Sequence, residues 1–414
     1  MNEKIICVIA SEHIDLQHEE EFLELVKTLS MHPVHIVTQH LKQVSYKTYI
    51  GSGKCQEIQT LIEQEPISYV VFAHALSPLQ IKNLQEILQI PILDRNDIIL
   101  RIFDRHATSK AARLQIKTAR LQNELPRLIG SQTQLSRQGG SGLNKGAGEQ
   151  QLELDRRTIR HQIQEAKKEL KKIKAQRMTQ RKARTQSLLP VVSLIGYTNA
   201  GKSTLMNRIL QASGQEKEVL EKDQLFATLD TSIRHIQRGN GHSFLLSDTV
   251  GFISDLPHTL IEAFHSTLEE ICYADLLIQV IDASSPYTKQ QIEVTMQTLK
   301  ELHASHIPML IIFNKCDKTE YTYPLKQDNH LYICANDTLS INMLLEEITK
   351  QLFQHDVQVQ MQIPYTQYKI CSHIMHHAQI LLYEEHEEFV ILEAFISKRL
   401  YQTYQSYVTK IINV

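Results

Sequence analysis

Over the first hundred residues, short apolar runs rich in β-branched side chains alternate with stretches whose apolar positions recur every three or four residues. KIICVIA (4–10), PVHIVTQ (33–39), SYVVFA (68–73) and IPILD (90–94) have the length and composition of strands. EEEFLELVKTLS (19–30) and SPLQIKNLQEILQ (77–89) carry helical spacing between them. Strands separated by helices predict a parallel sheet with helices packed on it.

The period then changes. A single long helix is expected from Asp97 to about Glu124, and a second from Gln150 to about Arg184. Ala107, Ala111, Leu114, Thr118, Leu121 and Leu125 fall at alternating spacings of four and three, and Leu152, Ile159, Ile163, Ala166, Leu170 and Ile173 mostly do the same, with Arg156 interrupting. Such spacing draws a narrow seam along each helix, and two seams can bury one another. The expectation is an antiparallel hairpin with residues 126–149 as its tip, Pro126 stopping the first helix and the glycines forbidding regular continuation. A new βα alternation runs from Leu188 to about Gln354. After it, IPYTQYKICSHIMHHAQI reads as strand then helix, and EEFVILEAFIS as an alternating strand. The predicted architecture is α/β throughout: an N-terminal α/β domain (1–96), a helical hairpin with linker (97–187), a doubly wound, mostly parallel domain (188–355) and a small C-terminal α+β domain (356–414).

Composition adds little until it is read locally. The chain has 414 residues and a net charge of −2, so no whole-protein field points to nucleic acid. Yet from Arg156 to Arg184 twelve Lys/Arg face two Glu, which makes the second hairpin helix a candidate surface for a phosphate backbone. The bland alternative is a solvated helix face. Six scattered cysteines (Cys7, Cys55, Cys272, Cys316, Cys334, Cys371) without a C-x-x-C pair suggest reduced, buried thiols. No apolar run is long enough to cross a bilayer, and MNEKIICVIA is too short for a secretory signal. A cytoplasmic, monomeric protein is expected, with peripheral membrane association left open.

The glycine-rich LSRQGGSGLNKGAGE (135–149) lacks the spacing of a phosphate loop, and so does YIGSGK (49–54), which reads as a strand-to-helix turn. The run LLPVVSLI (188–195) instead enters GYTNAGKST (196–204) and leads into the helical LMNRILQA, giving G-x-x-x-x-G-K-S after a strand and before a helix. Backbone N–H groups there can converge on phosphate oxygens at a helix N-terminus. Lys202 reaches the terminal phosphates, and the Ser203 hydroxyl suits Mg²⁺. LSDTVG (246–251) resembles a strand ending in an acid, with Asp248 holding magnesium through water and the Gly251 N–H meeting the γ-phosphate. FATLD (226–230) lies where a first switch belongs; Thr228 is its candidate metal ligand, with Thr231 as rival. IPMLIIFNKCD (307–317) ends in N-K-x-D. Asp317 can accept from both N1–H and the 2-amino group of guanine, a donor pair that adenine lacks, so the nucleotide is GTP or GDP. Asn314 would address the other base edge and the Lys315 stem would cover the ring. Cys334, Ala335 and Asn336 should back the base, with the Ala335 N–H on the guanine carbonyl.

The expected nucleotide contacts are therefore Gly196, Tyr197, Thr198, Asn199, Ala200, Gly201, Lys202 and Ser203 in the phosphate loop. Phe226, Ala227, Thr228, Leu229 and Asp230 follow, then Asp248, Thr249, Val250 and Gly251, and finally Asn314, Lys315, Cys316 and Asp317 with Cys334, Ala335 and Asn336. Lys202, Thr228 and Gly251 are the catalytic candidates, and Ser203 and Thr228 the metal ligands. Phe252 stands where a water-orienting glutamine often follows D-x-x-G, so intrinsic hydrolysis should be slow and completed on a partner. Asn199 is a candidate to help hold potassium against the phosphates.

Together, GYTNAGKSTL, FATLD, DTVGFI and NKCD, preceded by YIGSGK, LSRQGG and GEQQLELDRR, resemble the HflX-type GTPases of the translation-factor-related class. The resemblance covers nearly the whole chain, least in its last fifty residues. It implies GTP hydrolysis stimulated by the large ribosomal subunit, a hairpin loop reaching rRNA near the peptidyl-transferase centre, and a role in separating stalled or stressed ribosomes. Two departures stand out. The tip reads GLNKGAGEQQLE, with Lys145 in place of the family's arginine and Ala147 in place of its proline, and ICAN replaces the more common Ser-Ala loop. The rival classes are a tRNA-modification GTPase, from which a C-terminal cysteine nucleophile would be expected, and a non-hydrolysing RNA-binding scaffold.

Overall fold

The computed structural model describes residues 3–12, 16–130, 145–186, 189–214, 232–237, 242–249, 251–252, 268, 270–354 and 356–413. The described residues form two compact units, the first up to Ala175 and the second from Gln176 onward.

In the first unit, β1 (Lys4–Ser11), α1 (Leu16–Thr28), β2 (His32–His40), α2 (Ser52–Gln64), β3 (Tyr69–Phe72), α3 (Pro78–Leu88) and β4 (Ile92–Leu93) alternate. The four strands make a parallel sheet in the order β2-β1-β3-β4. Helices on both faces explain why IICVIA is apolar without alternation, since Ile5 to Ala10 are all buried. Ile6, Val8, Val70, Phe72, Ile81 and Leu84 share one core, each fully buried large side chain contributing about 1.5–3 kcal/mol. Ser77 and Gln80 form a capping box with Pro78 in the first turn of α3. YIGSGK is the turn into α2, with Tyr49 at φ 67° and Gly51 as N-cap.

The expected long helix from Asp97 to Glu124 is two helices, α4 (Arg95–His106) and α5 (Lys110–Gly130). Ala107 leaves the helical region at φ −69°, ψ 112°, and the Ser109 hydroxyl accepts from Ala112 N at 3.0 Å. A side-chain acceptor competes there with the backbone ladder, which the seam spacing does not reveal. Pro126 does not stop α5, which continues to Gly130. Proline there removes the N–H that would donate to Gln122 O, and the pairing of Arg127 with Asp97 holds the turn that follows it. The second hairpin helix, α6 (Lys145–Gln186), starts five residues before its expected Gln150 and includes Gly146 and Gly148, so those two glycines weaken the helix without excluding it. Tip residues 131–144 lie outside the described residues. Ala111, Thr118, Ile159 and Ala166 are buried, and Lys110 pairs with Glu169 at 2.8 Å, as an antiparallel hairpin requires.

Asp97 fastens α5 to α4. It closes a capping box with Asp94, and its two carboxylate oxygens take Arg127 Nη2 at 3.0 and 2.9 Å while Asn123 Nδ2 donates at 3.2 Å. Burial and the neighbouring Asp97 push the Asp94 carboxyl up to about 7.

In the second unit, β5 (Val191–Ile195), α7 (Lys202–Ala212), β6 (Ser232–Gln237), β7 (Ser243–Asp248), β8 (Leu276–Asp282), α8 (Thr288–Glu301), β9 (Met309–Asn314), β10 (Leu325–Gln327), β11 (His330–Tyr332) and α9 (Thr338–Phe353) follow in order. They build a seven-stranded sheet, β10-β11-β9-β8-β5-β7-β6, parallel except for its two edge strands. The core between sheet and α7/α9 includes Leu194, Leu205, Phe244, Ile278, Ile312 and Leu344. The chain ends in β12 (Val357–Pro364), α10 (Tyr368–His377), β13 (Gln379–Glu385), β14 (Phe389–Ile396), α11 (Lys398–Tyr404) and β15 (Val408–Asn413). These strands form an antiparallel sheet, β13-β14-β12-β15. The edge strands β13 and β15 escape sequence reading because their largely exposed side chains keep no clean alternation.

Replacing Asp97 with alanine should cost about 2 kcal/mol, since it removes one half of the capping box and leaves Arg127 only its longer contact with Asp94 at 3.6 Å. Urea unfolding and tryptic cleavage after Arg120 and Arg127 measure this, and unchanged values in both would contradict the fastening role.

A candidate nucleotide site at the carboxyl edge of the central sheet

In an open parallel sheet the carboxyl ends of the strands, and the helix N-termini that follow them, face one edge. Here that edge gathers the loops after β5, β7 and β9. Residues 196–201 join β5 to α7, and Gly201 caps α7 at φ 91° with no side-chain acceptor for its first N–H groups. A side chain at Gly201 is excluded twice over, because a Cβ would also lie 2.4 Å from Asn314 Nδ2. What remains is a helix N-terminus with its positive end open, suited to phosphate.

Lys202 is 6% exposed and folds back, donating to the carbonyls of Gly196 (3.1 Å) and Tyr197 (2.7 Å). Burial pushes its ammonium down to about 8; Lys315 adds to the depression and Asp248 opposes it. Ser203 Oγ donates to Asp248 Oδ2 at 2.8 Å, so a hydroxyl and a carboxylate meet beside the phosphate loop. These are hard oxygens that fit Mg²⁺, and the hydroxyl would hold it directly while the carboxylate acts through water. Among the described residues no group of three or more His, Cys, Asp or Glu forms a metal cage.

Thr249 Oγ1 donates to Leu194 O at 2.7 Å, tying the end of β7 to β5. A Cβ on Gly251 would lie 2.8 Å from Thr198 Cα and 2.9 Å from Lys202 Nζ, so only glycine lets this strand end press on the phosphate loop. Phe252 explains the close approach. Its N–H donates to Gly196 O (3.1 Å), its carbonyl accepts from Thr198 N (2.8 Å), and its ring is buried with Tyr197, Leu268 and Ile271. The residue that cannot orient water is thus a structural rivet.

On the base side, Asn314 is 1% exposed. Its Nδ2 donates to Ala200 O at 3.0 Å and its Oδ1 accepts from Ala335 N at 3.1 Å. This differs from the expectation that Asn314 addresses a base edge and that the Ala335 N–H is free for the guanine carbonyl. The carboxamide is buried between two loops, where unmade hydrogen bonds are expensive. Lys315, at φ 62°, extends to Asn199 O (2.7 Å), and Asn199 itself sits at φ 59° with an exposed side chain. Asp317 is exposed at the mouth, while Cys316 and Cys334 are buried. Burial, aided by the nearby acids, raises both thiols, Cys316 to about 11, so neither is a nucleophile. Asn336 Oδ1 accepts from Arg208 Nε (3.3 Å) and Nη2 (3.1 Å) of α7. Arg208 carried no motif signal. Phe226 to Asp230, Thr231 and Val250 lie outside the described residues.

This combination of doubly wound sheet, phosphate loop and guanine-type loops defines a P-loop GTPase. Family models described as the GTP-binding GTPase N-terminal region, the GTP-binding GTPase middle region and a 50S ribosome-binding GTPase match residues 17–104, 106–184 and 191–315. The chain is 36% identical to the GTPase HflX of Caldanaerobacter subterraneus over 98% of its length and 93% of that protein. It is 40% identical to that of Alkalihalophilus pseudofirmus over 83% of this chain and 81% of the relative. To the Escherichia coli K12 protein it is 36% identical over 87% of this chain and 85% of the relative. A solved structure of the protein SsGBP, determined with GDP, has a TM-score of 0.50 and 26% identity, covering 85% of this chain and 99% of that one. The chain belongs to the HflX GTPases, a ribosome-associated family of GTP-hydrolysing enzymes. Among the described residues no helix is long and apolar enough to cross a membrane.

The depressed Lys202 sets a pH dependence. Below pH 8 the ammonium is charged and meets phosphate directly; above it, binding must first take up a proton. GDP affinity should therefore fall more steeply than guanosine affinity as pH rises from 7 to 9, because both ligands begin to lose the guanine N1 proton there and only GDP meets Lys202 through phosphate. Titrating both ligands checks this, and parallel curves would reject it.

Proposed function

We propose that this GTPase binds the large ribosomal subunit, hydrolyses GTP to GDP and phosphate there, and separates the subunits of stalled or stressed ribosomes. One observation carries the ribosomal half: the exposed, predominantly basic surface of α6. Arg157, Arg160, Lys167, Lys168, Lys171 and Lys172 are all exposed, while Ile159 and Ala166 are buried. A helix that buries one stripe and offers cations elsewhere suits a phosphate backbone. Its tip, residues 131–144, is where we place the contact with rRNA near the peptidyl-transferase centre.

In the nucleotide half, the phosphate-loop amides that the fold does not already use and the Lys202 ammonium neutralise phosphate charge. Ser203 and Thr228 would hold Mg²⁺, which polarises the transferred phosphoryl group when bound. Gly251 presents its N–H to the γ-phosphate. Asp317 reads guanine, with Cys316, Cys334, Ala335 and Asn336 behind the base. Phe252 supplies no water-orienting group, so the free enzyme is slow and contact with the ribosome completes the catalytic arrangement. Asn199 is assigned to potassium. We place the protein in the cytoplasm as a monomer when free, with peripheral membrane association as a secondary location.

Three measurements test this. Pelleting with purified large subunits should succeed with a GTP analogue and weaken with GDP, and equal binding in both states would reject gating by nucleotide. Lys171→Glu with Lys172→Glu should weaken that association several-fold and reduce the steepness of its salt dependence; unchanged binding means the helix is merely solvated. Turnover should be faster in potassium than in sodium, and equal rates remove the cation role from Asn199.

A further inference from the structure

We infer that Asp282, outside every nucleotide motif, is a positioning residue that holds Lys315 against the phosphate loop and so couples the guanine loop to the phosphate loop. The inference rests on assigning residues 196–203 and 314–317 to the nucleotide.

Asp282 closes β8, in register with Asn314 at the end of β9, and Ala283 N donates to Asn314 O at 2.9 Å. Its two carboxylate oxygens have separate tasks. Oδ1 accepts from Ser284 N (2.9 Å) and Ser284 Oγ (2.6 Å), closing the turn after the strand. Oδ2 takes Lys315 Nζ at 2.7 Å. The same ammonium donates to Asn199 O at 2.7 Å. Lys315 is therefore gripped between a carboxylate on β8 and a carbonyl in the phosphate loop, with Asp282 and Lys315 side chains only 18% and 20% exposed.

Three physical reasons make the carboxylate matter. Lys315 sits at φ 62°, a conformation a lysine holds only when its surroundings enforce it. Asn199, whose carbonyl it grips, is at φ 59° with an exposed side chain, between Thr198 and Ala200, which Phe252 and Asn314 hold. Lys315 also lies close enough to Lys202 to depress its ammonium. The Asp282 charge offsets one of two neighbouring cations before any phosphate arrives. Asp282 thus orders both loops in the free protein, and ordering before binding tightens nucleotide affinity.

Asp282→Asn separates the two tasks. The amide oxygen can keep both Ser284 contacts, but Nδ2 then faces Lys315 and cannot accept from an ammonium. We expect fluorescent GDP to dissociate about ten-fold faster from Asp282→Asn, the scale of one charge-assisted hydrogen bond, with the fold retained by circular dichroism. Lys315→Ala should also speed release, and adding Asp282→Asn to it should change nothing further, because the partner is already gone. Wild-type release from Asp282→Asn, or additive effects in the double variant, would overturn the coupling and leave Asp282 a turn residue. Wild-type release from Lys315→Ala alone would instead overturn the nucleotide-site assignment on which it rests.

Discussion

A single buried carboxamide holds the nucleotide edge together. Asn314 offers one donor to Ala200 and one acceptor to Ala335, so the loops after β5, β9 and β11 meet at one side chain. Both bonds are shielded from water, which makes leaving either unmade costly. The constraint spreads outward. Gly201 must lack a side chain because Asn314 fills the space, and Gly251 must lack one because Thr198 and Lys202 do. With those approaches fixed, the phosphate loop has only the shape in which its amides converge.

The same economy explains Phe252. A residue that orients water would have to leave the core, whereas Phe252 is bonded by its backbone to Gly196 and Thr198 and buried by its ring. Rigidity of the strand end is thereby obtained at the expense of a catalytic group. A GTPase built this way is suited to a partner that controls when hydrolysis occurs. Lys202, folded onto two carbonyls, is likewise held ready near the phosphate position rather than free in solvent.

Much of the fold and site was legible from residues alone, for identifiable reasons. G-x-x-x-x-G-K-S after LLPVVSLI left one place for a phosphate loop, and it follows β5 and opens α7. The parallel sheets were visible because strands buried on both faces read as unbroken apolar runs. Other features were invisible. The break at Ala107–Ser109 turns on a hydroxyl choosing a backbone partner, and the continuation through Pro126 on the grip of Asp97 on Arg127 just beyond it. The helical glycines of α6 and the exposed strands β13 and β15 belong with them, because each depends on neighbours that spacing does not name.

What the sequence offered by itself was the chemistry: a phosphate loop, an acid ending β7, an aspartate in N-K-x-D and a helix with a large basic excess. Local spacing suffices there, since these groups act through backbone geometry and formal charge. Only tertiary structure decided how Asn314 is spent, that Phe252 is a rivet, and that Asp282 grips Lys315. Those roles arise from side chains brought together across strands distant in the chain, where burial and hydrogen-bond competition choose between partners that the sequence leaves equal.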